Sequence, residues 1–310
     1  MARKRQPGQG VHGVVVLDKP RGPTSHDLVQ IVRRAIGTHE VGHAGTLDPM
    51  ATGVLVVAIG QATKLLGWLS AADKSYEARV AFGRATDTLD AEGETTGARA
   101  CPAEIAAACA RAEDGGPLAA ALAAERARTA QVPPAFSAIK VGGVSSHARA
   151  RRGEEVLLAP REVRVLSLSP TAGSGDPPWL DLEMTVAKGY YVRALARDLG
   201  DALGTDAHLA ALRRTRSGPF SLEDAIPVTD LGPERLMPLA DAARRALPAV
   251  ELDEAGVRAA RYGQEVPLPE TCILHRPLAW LDASGALVAV GEAHAPGRGR
   301  VLRGFTAVTS

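Results

Sequence analysis

Residues 43–59 read HAGTLDPMATGVLVVAI, and this stretch decides how the chain is expected to fold. Its second part, VLVVAI at 54–59, is rich in β-branched residues and ends at a glycine, which predicts a buried strand. Its first part places Asp48 on a short loop that is flanked by two glycines. A carboxylate on a tight loop beside a core strand is held rigidly, as catalysis requires. The alternative interpretation is an ordinary turn, because Asp and Pro are both common turn formers.

Further motifs lie before and after this loop. They are LDKPRGPTS at 17–25, KSY at 74–76, FGRATDTLDAEG at 82–93, QVPPAFSAIK at 131–140, KGYYVR at 188–193, GTDAHL at 204–209 and LRR at 212–214. Together with residues 43–53, and in the same order, they resemble the motifs of the TruB family, the tRNA pseudouridine(55) synthases. The resemblance extends over about residues 13–225. It implies an isomerase that converts one uridine in the T-loop of tRNA into pseudouridine.

The hydrophobic periodicity of the chain predicts an α+β fold. Predicted strands cover 13–17, 54–59, 75–82 and 179–186. One predicted helix is capped by Thr24 or Ser25. Further helices are predicted at 61–72, at 102–130 with a break at 115–117, and at 191–203. These elements follow one another without a regular βαβ rhythm, so we expect a central sheet that is mainly antiparallel or mixed. The resemblance implies the same architecture, a pseudouridine synthase fold whose sheet is crossed by the active-site cleft.

Three segments are expected along the chain. Residues 1–10 are basic at first and then polar and glycine-rich, which predicts a mobile basic tail. Residues 11–240 carry the family motifs and are expected to form the catalytic domain. In residues 250–310, apolar runs flank Ser284-Gly285, which is a hairpin signal. The resemblance implies that this last segment is a small PUA-like RNA-binding domain; a β-rich appendage without that role is the alternative.

Composition limits the classes of protein that the chain can belong to. It has 310 residues, a net charge of +1 and no apolar run near the ~18 residues that a membrane-spanning helix needs. Its first residues lack the apolar core that signal peptides contain. The cysteines, at positions 101, 109 and 272, lack metal-ligand spacing and fit reduced thiols. We therefore expect a cytoplasmic protein without a membrane segment, a metal or a disulfide framework.

Basic residues are clustered even though the net charge is near zero. One group contains Arg149, Arg151, Arg152 and Arg161, and another contains Arg213, Arg214 and Arg216. Either group alone would fit a solvated surface. The family resemblance favours contacts with RNA phosphates instead, which contribute affinity and salt dependence but little base specificity.

The expected reaction defines which groups the site needs. Pseudouridine forms when the bond from ribose C1′ to base N1 breaks, the base turns, and C1′ joins C5. The atoms of substrate and product balance, so we expect no cofactor and no metal. Asp87, Asp90 and Glu92 resemble a metal-binding cluster, but we interpret them as turn and cap residues because this reaction needs no metal. The reaction needs an ionised carboxylate at the sugar, a cation beside it and a pocket for the free base. A target base inside folded RNA must also leave its stack first.

Asp48, Arg193 and Tyr76 are the candidate catalytic residues. The resemblance assigns the essential role to Asp48, as nucleophile at C1′ or as base toward the 2′ hydrogen; the sequence leaves both routes open, and we favour the second. Arg193 is the candidate cation, since an arginine fork favours the charged form of a carboxylate and fixes its orientation. Tyr76 is expected to stack on the flipped uracil and to help remove the C5 proton. The alternatives are a surface arginine and a core tyrosine.

Other residues are expected to bind substrate or RNA, namely Lys19, His43, Arg149, Arg152, Tyr191, Leu212, Arg213 and Arg214. Leu212 is interpreted as an apolar wall of the uracil pocket, and His43, by resemblance, as a residue that stacks in the RNA loop. Lys19 is expected to support the catalytic tyrosine from below. Phe136 and Tyr190 depart from the usual family pattern. These departures are expected to affect the contacts with the substrate and not the reaction.

Three functions remain open at this point. The first is a site-specific isomerase that acts on the T-loop of tRNA. The second is an RNA-binding or RNA-folding protein, in which Asp48→Asn would leave the role intact. The third is an isomerase that acts on rRNA or mRNA. Guide-RNA-dependent relatives share the catalytic motifs, but nothing in the chain suggests a partner-docking extension. We therefore expect a self-sufficient monomer that binds the T-arm stem–loop of tRNA without a guide RNA.

Overall fold

The computed structural model describes residues 10–306 except 113, 114, 138, 147, 148, 150, 151 and 155. The expected basic tail, apart from Gly10, and Arg151 of the first basic cluster therefore lie outside the described residues. The α-helices are α1 Ser25–Ile36, α2 Leu66–Ala71, α3 Ala103–Arg111, α4 Gly116–Arg126, α5 Val192–Ala202, α6 Leu239–Ala246 and α7 Glu254–Arg261. Short 3₁₀ helices cover Gly60–Leu65, Leu222–Asp224, Val228–Asp230 and Pro233–Arg235.

The strands follow one another with few intervening helices. In the first three quarters of the chain they are β1 Gly13–Lys19, β2 Val41–His43, β3 Thr52–Ile59, β4 Lys74–Phe82, β5 Ala85–Thr86, β6 Thr95–Gly97, β7 Ala130–Gln131, β8 Lys140–Val141, β9 Val144–Ser145, β10 Arg161–Glu162, β11 Val165–Gly175, β12 Pro178–Val186, β13 Ala207–Ser217, β14 Phe220–Ser221 and β15 Ile226–Pro227. The last quarter adds β16 Ala249–Glu251, β17 Val266–Pro267, β18 Pro277–Leu281, β19 Leu287–Ala295 and β20 Arg298–Gly304.

The centre of the molecule is a nine-stranded sheet. Its order is β11-β12-β4-β13-β3-β1-β15, with β14 paired to β13 and β2 paired to β3. Neighbouring strands are antiparallel except for the short parallel pairings of β13 with β3 and of β1 with β15. The predicted α+β class with a mixed, mainly antiparallel sheet is confirmed.

The helix predictions hold for two elements and need correction for two others. Thr24 is the N-cap of α1, because its Oγ1 accepts a hydrogen bond from the Asp27 amide at 3.1 Å and the Asp27 carboxylate accepts one from the Thr24 amide at 2.8 Å. The predicted helix at 191–203 is α5. Residues 61–72, however, form a 3₁₀ turn before the short α2, and the alanine-rich segment 102–130 forms two separate helices, α3 and α4.

Strand β3 is buried on both faces, which explains its unbroken run of apolar residues. Leu55 and Val57 belong to a core that includes α1, whereas Val54 and Val56 belong to a second core that includes α2 and α6. Successive side chains of a strand point to opposite faces of the sheet. The strand that follows the Asp48 loop is therefore fixed from both sides.

The C-terminal part of the chain forms a five-stranded sheet that packs on the second core. Its order is β16-β18-β19-β20-β17, and the predicted turn at Ser284-Gly285 joins β18 to β19. Gly285 has a φ of +80°, a conformation that favours glycine at this turn. The side chain of Gln61 pairs with the backbone of Thr306, with Nε2 to O and N to Oε1 distances of 2.8 Å. The small β-rich C-terminal unit of the predicted fold class is present and docked.

The face of the central sheet that carries the second core is open to solvent at β4 and β12. On β4 and β12, Glu77, Arg79 and Glu183 are exposed, while the residues between them point into the first core. The second core, to which α2, α6 and the C-terminal sheet contribute, thus covers the β1–β3 part of this face and leaves a polar surface beside it.

Candidate active site

Asp48 lies on the loop that joins β2 to β3, and the first turn of α1 holds that loop. The Ser25 hydroxyl accepts a hydrogen bond from the Leu47 amide at 2.8 Å and donates one to the Leu47 carbonyl at 3.0 Å. After the aspartate the chain turns, with the Ala51 amide 3.1 Å from the Asp48 carbonyl. Gly53, the second residue of β3, has a φ of +98°, and a Cβ there would collide with the Arg214 carbonyl. The loop position is therefore determined by backbone contacts on both sides of Asp48.

Two fully buried cations support this loop from below. Lys19 Nζ donates to the carbonyls of Pro20, Pro49 and Ala51 at 3.0, 3.1 and 2.7 Å. Arg214 Nε donates to the Val54 carbonyl at 2.7 Å, and its two Nη atoms reach the Thr46 and Gly45 carbonyls at 3.4 and 3.1 Å. Burial lowers the pKa of Lys19 to about 8, although the negative charge of Asp48 opposes that shift. Carbonyl oxygens compensate the buried charges, so the loop and the cations order each other.

Arg193 binds the Asp48 carboxylate through both of its oxygens. Nε lies 2.8 Å from Oδ2, and Nη2 lies 3.2 Å from Oδ1. The remaining donors reach the Thr88 carbonyl from Nη1 and the Phe136 carbonyl from Nη2, both at 2.9 Å. The Arg193 side chain is only 8 % exposed, whereas that of Asp48 is 33 % exposed. The arginine is thus locked from behind, and the carboxylate stays accessible from the cavity in front of it.

Asp90 is a second carboxylate at Arg193, and the sequence interpretation missed this contact. Its Oδ1 accepts hydrogen bonds from Thr88 Oγ1 at 2.6 Å and from the Glu92 amide at 3.1 Å, which is the turn role predicted for it. Its other oxygen, Oδ2, lies 3.8 Å from Arg193 Nε. The side chain is buried, so this charge acts on the arginine with little solvent screening. The available signal was the position of Asp90 within the matched motif at 82–93.

A cavity of about 370 Å³ opens in front of the pair. Its walls include Tyr76, Tyr191, Leu212 and Phe136, so the space beside the carboxylate is lined largely by aromatic and aliphatic groups. Burial raises the pKa of the Tyr76 phenol, and the charge and hydrogen bond of Arg214 oppose that shift. The structure therefore brings together Asp48, Arg193, Tyr76, Leu212 and Tyr191, which lie far apart in the sequence.

Two other predicted residues lie near the cavity but not in its wall. His43 is partly buried on β2, and burial together with the positive charge of Arg214 lowers its pKa, which favours the neutral ring. Lys19 was expected to support Tyr76. Its described hydrogen bonds go instead to the carbonyl of Pro20 and to those of Pro49 and Ala51 on the Asp48 loop.

The predicted phosphate-binding arginines differ from one another in exposure. Arg214 is fully buried under the Asp48 loop, so the prediction that it contacts phosphate is wrong. Arg213 is partly exposed and bonded to both carboxylate oxygens of Asp18, at 3.0 and 2.8 Å. Arg149 and Arg152 both lie near the Glu154 carboxylate, at 3.4 and 3.8 Å. Arg152 is the most exposed of these side chains.

No metal site and no membrane-spanning helix are found within the described ranges. Histidine, cysteine and carboxylate side chains there form no group of three or more that could hold a metal ion. None of the described helices is long and apolar enough to cross a membrane.

Solved structures share this fold over nearly the whole chain. One is an H/ACA ribonucleoprotein bound to a substrate RNA containing 2′-deoxyuridine, which is 23 % identical, has a TM-score of 0.67 and covers 98 % of this chain and 92 % of that one. Another is a Cbf5–Nop10–Gar1 complex, 25 % identical with a TM-score of 0.67, which covers 96 % of this chain and 85 % of the other. The central sheet with its docked β-rich unit is thus the fold of pseudouridine synthases.

Sequence comparison resolves the family within that class. Residues 33–192 match the model of the TruB family pseudouridylate synthase N-terminal domain, and residues 193–247 match that of the tRNA pseudouridylate synthase B C-terminal domain. A tRNA pseudouridine synthase B of Thermobifida fusca is 47 % identical over 264 residues, 82 % of this chain and 86 % of the relative. One of Streptomyces coelicolor is 43 % identical over 290 residues, 91 % of this chain and 93 % of the relative. The chain belongs to the TruB family of pseudouridylate synthases.

Proposed function

We propose that this protein isomerises a uridine in the T-loop of tRNA and that Asp48 is the reacting carboxylate. As a member of a family whose curated relatives are named tRNA pseudouridine synthase B, it is an isomerase that converts tRNA uridine into pseudouridine. The finer proposal is carried by one observation, the bidentate Asp48–Arg193 pair at the wall of an aromatic cavity. The cavity volume lies within the ~300–1,000 Å³ that is usual for ligand sites.

The first step is extrusion of the target nucleotide from the RNA loop into this cavity. Tyr76 and Leu212 lie on neighbouring strands, β4 and β13, and offer flat and apolar surfaces to the base. Base–aromatic stacking contributes about 1–3 kcal/mol per base, which offsets part of the free energy lost on unstacking. Tyr191, which also lines the cavity, offers a further aromatic surface to the base.

The second step is the transfer of the glycosidic bond. Asp48 either attacks C1′ or removes the 2′ hydrogen, and in both routes the carboxylate must be ionised and aimed at the ribose. Arg193 supplies both conditions, because its fork fixes the plane of the carboxylate and its charge stabilises the anion. Neither route consumes a cofactor, since the N1–C1′ bond is exchanged for a C5–C1′ bond within one nucleotide.

The last step is loss of the proton from C5, which restores the aromatic base. We propose that the Tyr76 phenol assists this transfer. Burial raises the pKa of that phenol, so it is protonated at neutral pH, and its oxygen takes up the C5 proton while its own hydroxyl hydrogen passes to solvent.

The rest of the molecule is proposed to bind the tRNA. We assign residues 11–240 to catalysis and residues 250–310 to a PUA-like RNA-binding domain, and we expect a cytoplasmic monomer that needs no guide RNA. Arg149, Arg152 and Arg213 are the exposed or partly exposed candidates for phosphate contacts. Arg214 is excluded from that role by its burial.

The substrate proposal is tested with two stem–loop RNAs of equal length, a tRNA T-arm and a tRNA anticodon arm, both labelled with tritium at uridine C5. Forming the C5–C1′ bond displaces the C5 proton, so released tritium counts the uridines converted. We expect release equivalent to one uridine from the T-arm and none from the anticodon arm. Equal release from both arms, or release from the anticodon arm alone, would contradict a T-loop substrate.

A further inference from the structure

One polar group in the cavity wall is not used by the proposed mechanism. Ser137 lines the cavity, its side chain is buried with 5 % of the residue exposed, and its Oγ has no hydrogen-bond partner among the described residues. A buried hydroxyl without a partner loses the hydrogen bonds that it makes in water. Such a group in a binding cavity indicates a partner that arrives with the ligand.

The backbone around Ser137 is held in place by the catalytic arginine. Arg193 Nη2 donates to the Phe136 carbonyl at 2.9 Å, and the Ser137 amide donates to the Ala135 carbonyl at 3.0 Å. The hydroxyl of Ser146 donates to that same Ala135 carbonyl. The backbone that carries the Ser137 side chain is therefore anchored in part by the guanidinium that also orients Asp48.

Three other polar side chains of the cavity wall already have partners, and one of them, Tyr190, donates its hydroxyl hydrogen to Glu125 at 2.6 Å. Asp48 and Arg193 form hydrogen bonds with each other, and Arg193 also donates hydrogen bonds to two backbone carbonyls. Much of the remaining wall is aromatic or aliphatic. A uracil ring, by contrast, carries two carbonyl oxygens and an N3–H on its edge, and these groups lose their hydrogen bonds to water on entering such a cavity.

We propose that the Ser137 hydroxyl hydrogen-bonds the polar edge of the target uracil and steadies the base while it turns. This inference rests on the proposed function and extends it to one more substrate-binding residue. A hydroxyl both donates and accepts, and its hydrogen rotates to suit the partner. It can therefore bind a carbonyl oxygen in one orientation of the base and N3–H in another, which a group that only donates cannot do.

The test is a set of single-turnover rate constants for Ser137→Ala on T-arm stem–loops whose target nucleotide is uridine, 2-thiouridine or 4-thiouridine. Sulfur accepts hydrogen bonds weakly, so each analogue removes one candidate partner. We expect Ser137→Ala to slow the reaction of uridine about ten- to hundredfold, with T-arm affinity unchanged. On the analogue that lacks the bonded oxygen, we expect wild type and variant to differ by less than about threefold.

Ser217→Ala is the matched control, because Ser217 is also a buried serine whose Oγ has no partner among the described residues, and it does not line the cavity. We expect this variant to react at the wild-type rate. A Ser137→Ala rate within twofold of wild type on uridine would overturn the inference, as would an equal loss on all three substrates. An inactive wild type would instead contradict the proposed function, so the two failures are distinguishable.

Discussion

Two bidentate arginine–aspartate pairs lie on opposite faces of the central sheet. Arg193 and Asp48 meet in the cavity at 2.8 and 3.2 Å, and Arg79 and Asp181 meet on the open face at 2.7 and 2.8 Å. The hydrogen-bond geometry is the same in both. The surroundings differ, because the Arg193 side chain is 8 % exposed and that of Arg79 is 43 % exposed.

The difference shows that the burial of the arginine, and not the ion pair itself, distinguishes the cavity pair, since the aspartates are similarly exposed, 33 % for Asp48 and 27 % for Asp181. An exposed pair contributes about 0–1 kcal/mol to stability, whereas breaking a buried pair costs about 3–5 kcal/mol, since one charge is left without a partner. Arg193 is further held by the Thr88 and Phe136 carbonyls, while Arg79 stacks on the Trp179 ring at 3.8 Å. The cavity pair is preorganised for chemistry, and the surface pair is exchangeable.

Among the comparisons of matched variants, the largest effect is expected for Arg193→Lys, with Arg79→Lys as its control. Arg193→Lys keeps the charge but cannot bind both carboxylate oxygens and two carbonyls, so turnover should fall about a thousandfold. Arg79→Lys should stay within about twofold of wild type. Tritium release from the T-arm measures both. Near-normal turnover of Arg193→Lys would remove the claim that the fork geometry matters.

The second comparison sets the cavity tyrosine against an exposed one. Tyr76→Phe keeps the stacking ring and removes the proton relay, so the rate should fall about a hundredfold while RNA affinity stays within twofold. Tyr262, on the surface of the C-terminal unit, is the control, and Tyr262→Phe should change neither quantity. Full activity of Tyr76→Phe would restrict Tyr76 to stacking.

The third comparison sets a buried lysine, Lys19, against an exposed one, Lys188. Lys19→Met leaves three backbone carbonyls without their donor, two of them on the Asp48 loop, so the free energy of unfolding should fall by about 3 kcal/mol. Lys188 is exposed, so Lys188→Met should change the free energy of unfolding by less than about 0.5 kcal/mol. Urea unfolding of both variants gives the values, and equal stabilities would show that Lys19 does not support the loop.

The smallest effect concerns a buried acid behind the cavity. Glu125 accepts hydrogen bonds from the Tyr190 hydroxyl at 2.6 Å and from Arg128 Nε at 2.7 Å, and burial raises its pKa. The folded protein then binds this proton more tightly than the unfolded chain does. The stability that Glu125 contributes is present at low pH and lost as pH rises through its raised folded pKa.

Glu125→Gln should not show this pH dependence, so its stability relative to wild type should increase between acidic and neutral pH. The change should be smaller than the effect of Lys19→Met. Glu104→Gln, an exposed change on α3, should leave the pH profile unaltered. Parallel profiles for wild type and Glu125→Gln would contradict the raised pKa.

Strand alternation explains why the predicted phosphate contact fits Arg213 and not Arg214. Arg213 and Arg214 look alike as a basic cluster, but adjacent residues of β13 point to opposite faces of the sheet. One therefore reaches Asp18 at the surface and the other lies under the Asp48 loop. The charge pattern alone does not reveal this, because it requires the strand to be assigned first.

The candidate catalytic residues could be selected from the sequence because each lies in a motif, whereas the contacts between motifs could not be predicted. Asp48, Tyr76 and Arg193 follow from their local sequences, and the cavity brings them together. The approach of Asp90 to Arg193 and the unpaired hydroxyl of Ser137 depend on how distant segments pack. No local pattern encodes a contact between residues that lie more than a hundred positions apart, such as Asp90 and Arg193.

The most direct measurement compares the two aspartates of the two pairs. Pseudouridine is mapped by mass spectrometry in a T-arm stem–loop after incubation with wild type, Asp48→Asn and Asp181→Asn, and the affinity of each protein for the RNA is measured in parallel. We predict modification of the single T-loop uridine by wild type and Asp181→Asn, and none by Asp48→Asn, which should still bind. Pseudouridine formed by Asp48→Asn would contradict the central role of the buried pair.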